Sequence, residues 1–151
     1  MTLPKNILVP VDFSEASEAA LDYAVVLAAR LDAKLHLLHV VTFPVLGVPE
    51  AGITLTPSVI EDLMTESQSA LQKLADARRN SAKIGEVMLR TGDPREVIHW
   101  VAEEISADLI VMSTHGRRGI RRLLLGSVTE SVVRTASCPV LTLRVPKPSS
   151  K

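Results

Sequence analysis

Apolar residues along the chain follow two kinds of repeat. Five short runs rich in Val, Leu and Ile have the length of strands, and longer segments between them repeat apolar residues every three or four positions. The first and fourth runs are almost continuously apolar, which is typical of strands covered by helices on both faces. The pattern therefore predicts five strands, at Asn6 to Val11, Lys34 to Val41, Glu86 to Arg90, Leu109 to Ser113 and Val140 to Val145.

Helices are predicted between these strands from their start signals and periodicity. The expected spans are Ser14 to Leu31, a longest helix beginning at Pro57, Asp93 to Glu104, and Val128 to Thr135. In the longest helix, one side carries the apolar residues Val59, Ile60, Leu63, Met64, Leu71 and Leu74. Strands that alternate with helices imply parallel crossovers. The predicted fold is thus α/β, with a three-layer, doubly wound, five-stranded parallel sheet.

The loop after the fourth strand contains glycines in a basic surrounding. Gly116 and Gly126 permit a positive φ or a close approach by a bound group, and Ser127 stands at the predicted helix N-cap. Unpaired N–H groups at a helix start favour an anion. The loop also carries Arg117, Arg118, Arg121 and Arg122 without an acid among them. The pattern indicates a phosphate-binding loop, and Arg117 is the arginine expected to contact phosphate.

Two site positions keep alternative interpretations. The carboxyl ends of parallel strands meet at one edge, so Asp12 is expected near the glycine loop. Its carboxylate either accepts hydrogen bonds from a sugar or amino group, or it favours only the start of the following helix. Ser127 and Glu130 fit a capping box, which needs no ligand, although both interpretations can hold.

Composition limits the class of protein. The 151 residues are 46% hydrophobic and 3% aromatic, which suits one aliphatic domain over residues 1–146 with a frayed tail at 147–151. Acids and bases balance at 17 each, so neither nucleic acid nor an anionic membrane is an expected partner. Cys138 is the only cysteine, and charged residues interrupt the N-terminal apolar run early. No apolar run approaches the ~20 residues that cross a bilayer, so a cytoplasmic protein is expected.

The histidines and the missing catalytic motifs argue against a fast enzyme. His115 has no second ligand at metal spacing, and His36 and His39, placed on one face of the second strand, lack a third, so structural roles are expected. The sequence has no Walker lysine motif, Gly-x-Ser-x-Gly elbow, His-Glu-x-x-His or paired acids. Phosphoryl transfer needs a nucleophile and metal ligands as well as charge clamps. We therefore predict binding rather than rapid turnover.

Several stretches together resemble the universal stress protein domain, whose nucleotide-binding members carry Gly-x2-Gly-x9-Gly-Ser/Thr. The matching stretch is Ser113-Thr114-His115-Gly116, nine residues, then Gly126-Ser127. ILVPVDFSE, LLHV, TGDPREVI, DLIVMSTHGRRG and LLLGSVTESVVRTASCPVLTLR follow the order of the family's landmarks. The resemblance covers almost the whole chain and implies an adenine nucleotide alpha hydrolase-like sheet with strand order 3-2-1-4-5.

The resemblance also implies a ligand and its residues. It places ATP, with Mg2+ on the phosphates, at the strand ends and the glycine loop. The base and ribose side takes Pro10, Val11, Asp12 and Val40. The ribose and phosphate side takes Met112, Ser113, Gly116, Arg117, Gly126, Ser127, Val128 and Thr129. The resemblance further implies a homodimer through antiparallel pairing of the strand from Val140 to Val145.

One departure from the motif keeps other functions open. Ser113 stands at the first motif glycine, where its β-carbon either crowds a ribose or its hydroxyl binds the sugar. The segment from Thr42 to Thr56 is long and apolar, and is either a lid or a contact surface. The alternatives to an ATP-responsive regulatory protein are an interaction protein of the same fold that does not depend on nucleotide, and a slow ATPase.

Overall fold

The computed structural model describes residues 2–43, 55–115 and 125–145. Strands and helices alternate along the chain as predicted. They are β1 (Asn6–Pro10), α1 (Glu15–Leu31), β2 (Lys34–Val41), α2 (Pro57–Asp76), β3 (Lys83–Thr91), α3 (Pro94–Glu104), β4 (Leu109–Ser113), α4 (Ser127–Thr135) and β5 (Val140–Leu143). Gly116, Arg117, the other loop arginines, most of the apolar segment after β2 and the tail lie outside the described residues.

The strands form one five-stranded sheet in the order β3-β2-β1-β4-β5, which confirms the expected order. Every pairing is parallel. Pro10 pairs with Leu38, and Leu8 with Ile110, so β1 lies at the sheet centre between β2 and β4. The chain winds outward from β1 to β3 and then returns to β4 on the other side of β1. The winding direction thus reverses between β1 and β4, where doubly wound sheets bind ligands.

Two apolar layers cover the sheet. On one face, Leu21 of α1 and Leu71 of α2 pack with the alternate residues Ile7 and Val9 of β1. On the other, Val97 and Val101 of α3 and Val132 of α4 pack with Leu8, Leu38, Ile110 and Met112. Successive residues of a strand point to opposite faces, so each central strand serves both layers. The three-layer arrangement is confirmed.

Helix starts follow the predicted signals in three cases. Ser14, Thr56 and Asp93 cap α1, α2 and α3 through their side chains. α4 differs, because its N-cap is Gly126, which has no side chain to cap it. Ser127 is the first helical residue, so its predicted N-cap position is wrong by one residue. No helix in the described ranges has the length and apolar content needed to cross a membrane.

Some element boundaries also differ from the predictions. β3 begins at Lys83 rather than Glu86, because Gly85 interrupts the apolar pattern at a bulge opposite His36. β1 and β5 end earlier than predicted, at Pro10 and Leu143. The apolar side of α2 is only partly buried: Leu71 is fully covered, whereas Val59 and Leu63 remain exposed.

Candidate functional site

The carboxyl ends of β1, β2 and β4 bring the predicted base and ribose residues to one edge of the sheet. Pro10 ends β1, and Val11 continues the pairing because its N–H donates to Leu38 at 2.8 Å. Val40 lies near the end of β2, and Met112 and Ser113 end β4. The parallel register therefore places these residues at nearly the same height, as the sequence predicted.

The turn from β1 to α1 is built on the carboxylate of Asp12. Its Oδ1 accepts a hydrogen bond of 3.0 Å from the Ser14 N–H and another from the Ser14 hydroxyl. That hydroxyl in turn accepts from the Ser17 N–H at 3.2 Å, which caps α1. Asp12 thus supports the helix start through Ser14, and its partly buried carboxylate remains at the edge of the sheet.

The end of β4 is fixed by hydrogen bonds within the chain. The Ser113 hydroxyl donates to the carbonyl oxygen of His115 at 2.8 Å, and Ser113 is only 7% exposed. Thr114 Oγ1 lies 3.0 Å from His115 Nδ1, and the Thr114 N–H donates to Leu143 of β5. The serine at the first motif position therefore directs its hydroxyl to the protein's own backbone.

Gly126 is required by a close approach rather than by a left-handed conformation. Its φ is −67°, so it does not use the positive φ that a glycine permits. Its N–H donates to Thr114 at 2.6 Å, and a β-carbon there would lie 3.3 Å from the same carbonyl oxygen. A side chain at this position would push the start of α4 away from the end of β4.

At the start of α4, the N-cap residue Gly126 provides no side-chain cap for the main-chain amides. The first intrahelical bond runs from the Glu130 N–H to Gly126 at 2.8 Å, so the amides of Ser127, Val128 and Thr129 have no acceptor within the helix. The Glu130 carboxylate pairs with Arg134 at 2.7 Å, one turn onward. The predicted capping box is therefore not formed, and its carboxylate does not occupy the positive end of the helix.

The Thr129 side chain links α4 to β4 by a hydrogen bond. Its hydroxyl donates to the carbonyl oxygen of Ser113 at 2.9 Å, and Thr129 is 3% exposed. Among the other predicted site residues, Val11 and Met112 are buried, and Ser127 is exposed. The partly buried ones are Pro10, Asp12, Val40, Gly126 and Val128. The structure brings these residues to one edge, while Gly116 and Arg117 lie outside the described part of the chain.

Residues 4–144 match the profile of the Universal stress protein family. The chain belongs to this family. A universal stress protein of Methanocaldococcus jannaschii is 39% identical over 147 residues, which cover 96% of this chain and 85% of that protein.

Solved structures of universal stress proteins share the fold. The protein UspA from Lactobacillus plantarum superimposes with a TM-score of 0.80 at 29% identity, covering 95% of this chain and 100% of that chain. A universal stress protein in complex with cAMP has a TM-score of 0.69 at 26% identity, covering 94% and 98%. Some universal stress proteins of this fold therefore bind an adenine nucleotide.

His36 and His39 do not share a face of β2 in this universal stress protein, contrary to prediction. They are three residues apart, and side chains of a strand alternate with a period of two. His36 is buried, where its Nε2–H donates to Asn6 at 3.3 Å and its Nδ1 accepts the Glu86 N–H at 3.0 Å. Burial lowers the pKa of His36, while the nearby Glu86 carboxylate opposes this effect.

His39 lies beside the candidate site, which sequence reasoning missed. Its Nδ1–H donates to the Val11 carbonyl oxygen at 2.7 Å. Its ring packs on that of Phe13, with centroids 4.3 Å apart and planes tilted by 41°. Phe13 has a φ of 62°, in the left-handed region that bulky residues rarely adopt. These contacts join residues distant in sequence, so periodicity carries no signal of them.

Metal ligands are sparse in the described ranges. They contain no group of three or more His, Cys, Asp or Glu residues that could hold a metal ion. Cys138 is half-buried, and burial raises the pKa of its thiol, which disfavours the reactive thiolate.

Proposed function

We propose that this universal stress protein binds ATP at the carboxyl edge of its sheet and acts as a nucleotide-responsive regulatory protein in the stress response. One observation carries the proposal: the first amides of α4, which have no acceptor within the helix and no side-chain cap from Gly126, lie beside the end of β4. Anions bind at such helix starts because the amides donate hydrogen bonds and the helix dipole favours negative charge.

The proposed site divides into two ends. The base and ribose end consists of Pro10, Val11, Asp12 and Val40. The ribose and phosphate end consists of Met112, Ser113, Gly116, Arg117, Gly126, Ser127, Val128 and Thr129. Thr129 contributes to this end through its main chain, because its hydroxyl already binds Ser113. Ser113 likewise contributes its backbone, since its hydroxyl binds His115.

The donor set fits a nucleotide phosphate. Amides of Ser127 and Val128 supply hydrogen bonds, and Arg117 of the motif supplies positive charge. Mg2+ bound to the phosphates would reduce their negative charge. The related structure in complex with cAMP supports an adenine nucleotide as the ligand.

Two measurements test the proposed function. A mass spectrum of small molecules released from freshly purified protein is expected to show an adenine nucleotide. Calorimetric titration is expected to show ATP binding that weakens in Gly126→Ala, because the added β-carbon presses on Thr114. Flat titrations with ATP, ADP and AMP would contradict the proposal. Steady ADP release by the pure protein would instead support the slow ATPase, since we propose little or no turnover.

A second candidate is an interaction protein that does not depend on nucleotide. It is favoured by the Ser113 hydroxyl, which donates its hydrogen bond to the His115 carbonyl oxygen rather than leaving it for a sugar. It is also favoured by the exposed apolar side chains of Val59 and Leu63 on α2. Binding of a partner that is unaffected by ATP and is lost in Leu63→Asp would support this function. Binding that requires ATP would favour the first candidate.

We also propose a cytoplasmic homodimer that pairs through the strand from Val140 to Val145. β5 ends the described sheet, and each of its residues is only partly buried. An unprotected sheet edge favours pairing with another chain. Light scattering is expected to give the mass of a dimer, and Thr142→Pro, which removes an amide from β5, is expected to weaken it. A monomer at micromolar concentration would contradict this assembly.

A further inference from the structure

Three consecutive residues of the β1 to α1 turn are held by side chains from other elements. The Val11 carbonyl oxygen accepts from His39 Nδ1–H at 2.7 Å. The Asp12 N–H donates to the Ser17 hydroxyl at 3.2 Å, and the Phe13 ring packs on the His39 ring. His39 therefore contacts the residues on both sides of Asp12.

The conformation of Phe13 requires such support. A φ of 62° is unfavourable for a bulky side chain, and it persists only where the surroundings fix it. The turn that it produces brings the Asp12 carboxylate onto the Ser14 N–H at 3.0 Å. The His39 ring packs on the residue that bears this strain, so it stabilises the backbone that orients Asp12.

We propose that His39 is a positioning residue for the adenosine end of the nucleotide site. It holds the Val11 carbonyl and the Phe13 ring, and thereby sets where the Asp12 carboxylate meets the base or ribose. The inference rests on the proposed function. The phosphate end depends on α4, which joins the sheet through Thr129 and Ser113, so His39 affects the two ends unequally.

The test compares two ligands that each probe one end of the site. Adenosine and inorganic tripolyphosphate are titrated separately into wild type, His39→Ala and the control His99→Ala, whose imidazole lies on α3 near Glu103. His39→Ala is expected to weaken adenosine binding by about tenfold or more and to change tripolyphosphate binding by less than about twofold. His99→Ala is expected to leave both unchanged.

Two conservative variants separate the contributions of the imidazole. His39→Gln can still donate to Val11 but has no ring, whereas His39→Phe keeps a ring against Phe13 but has no donor. Each is expected to recover part of the adenosine affinity lost in His39→Ala. A general loss of structure would not produce this recovery. Equal losses of adenosine and tripolyphosphate affinity in His39→Ala would overturn the proposal.

Amide hydrogen exchange in the ligand-free protein provides a readout that does not require nucleotide. Exchange at Asp12 and Ser14 is expected to rise by about tenfold in His39→Ala and to stay unchanged in His99→Ala, with β4 as the internal reference. Unchanged exchange at both positions would overturn the positioning role. If wild type gives flat titrations with ATP, ADP and AMP, the proposed function fails, and the exchange measurement still decides whether His39 holds the turn.

Discussion

The Thr129 hydroxyl donates a hydrogen bond of 2.9 Å to the carbonyl oxygen of Ser113, and both residues are almost completely buried. Ser113 ends β4 and Thr129 belongs to the first turn of α4, so the bond joins the two sides of the glycine loop. A buried carbonyl oxygen that loses its partner retains the full cost of its desolvation. The Thr129 hydroxyl therefore holds the helix start together with the bond from the Gly126 N–H to Thr114.

Thr129→Val is expected to lower the free energy of unfolding by about 1–3 kcal/mol, because valine keeps the shape of threonine but leaves the Ser113 carbonyl without its donor. Urea denaturation measures the change. The matched control is Thr135→Val, whose hydroxyl donates to Ser131 at 2.9 Å on the exposed part of the same helix. Its cost is expected to stay below about 0.5 kcal/mol. Equal costs in the two variants would contradict a larger contribution of the buried bond to stability.

Ser127→Asp is expected to change the stability of α4 and the affinity for ATP in opposite directions. A carboxylate in the first turn of α4 is expected to stabilise the helix by about 0.3–1 kcal/mol, because it complements the helix dipole. The same charge repels a phosphate at these amides, so ATP affinity is expected to fall by about tenfold or more. Thermal denaturation and calorimetry measure the two effects, which have opposite signs.

Ser58→Asp is the control for this charge. Ser58 lies in the first turn of α2, which contains no acidic residue and follows β2 rather than β4. The substitution is expected to stabilise its helix by a similar amount and to leave ATP binding unchanged. If Ser127→Asp binds ATP as tightly as wild type, the start of α4 is not the phosphate site.

The sequence predicted the elements that depend on local patterns. The central strands β1 and β4 are nearly continuous apolar runs, and helices α1 to α3 begin at recognisable caps, so periodicity and capping rules located them. The order of the strands came from the family resemblance. The placement of Asp12 at the same edge of the sheet as the end of β4 followed separately from the geometry of parallel strands.

The details missed by the sequence analysis depend on tertiary contacts. Gly85 within the β3 pattern was a local signal for a bulge. The residue that packs against Gly85 is His36 of β2, and this contact between strands has no signal in the local sequence. The left-handed conformation of Phe13 has no local signal, since it is supported by His39 from another strand. The predicted capping box does not form because the N-cap is Gly126 rather than Ser127, and the Glu130 carboxylate pairs with Arg134 instead.

Gly85→Ala tests the close packing at the bulge. A β-carbon at this position would lie 2.6 Å from Cε1 of the His36 ring, which is held by Asn6 and by the Glu86 N–H. The substitution is expected to cost about 1–3 kcal/mol of stability through overpacking. In a His36→Ala background the cost is expected to fall, as a double-mutant cycle measures. Equal costs in both backgrounds would mean that strain elsewhere is responsible.

His36 is expected to make stability depend on pH in the weakly acidic range. Burial, opposed by Glu86 and reinforced by Lys34, holds the pKa of His36 below its ordinary value of 6.5. The unfolded chain therefore takes up a proton at a higher pH than the folded protein does. This contribution to stability is complete above pH 6.5 and is lost as the pH falls through the lower pKa of the folded state.

The geometry explains why the charged form is disfavoured and supplies the test. Nδ1 of His36 accepts the Glu86 N–H, so a protonated ring would place two donors against each other in a buried site.

His36→Gln offers a donor and an acceptor without titrating. Urea denaturation between about pH 8 and about pH 5 is expected to show a smaller loss of stability in this variant than in wild type. Asp93, whose pKa is about 2, titrates below that range and leaves the comparison undisturbed. Identical pH dependence in the two proteins would rule out His36 as the source.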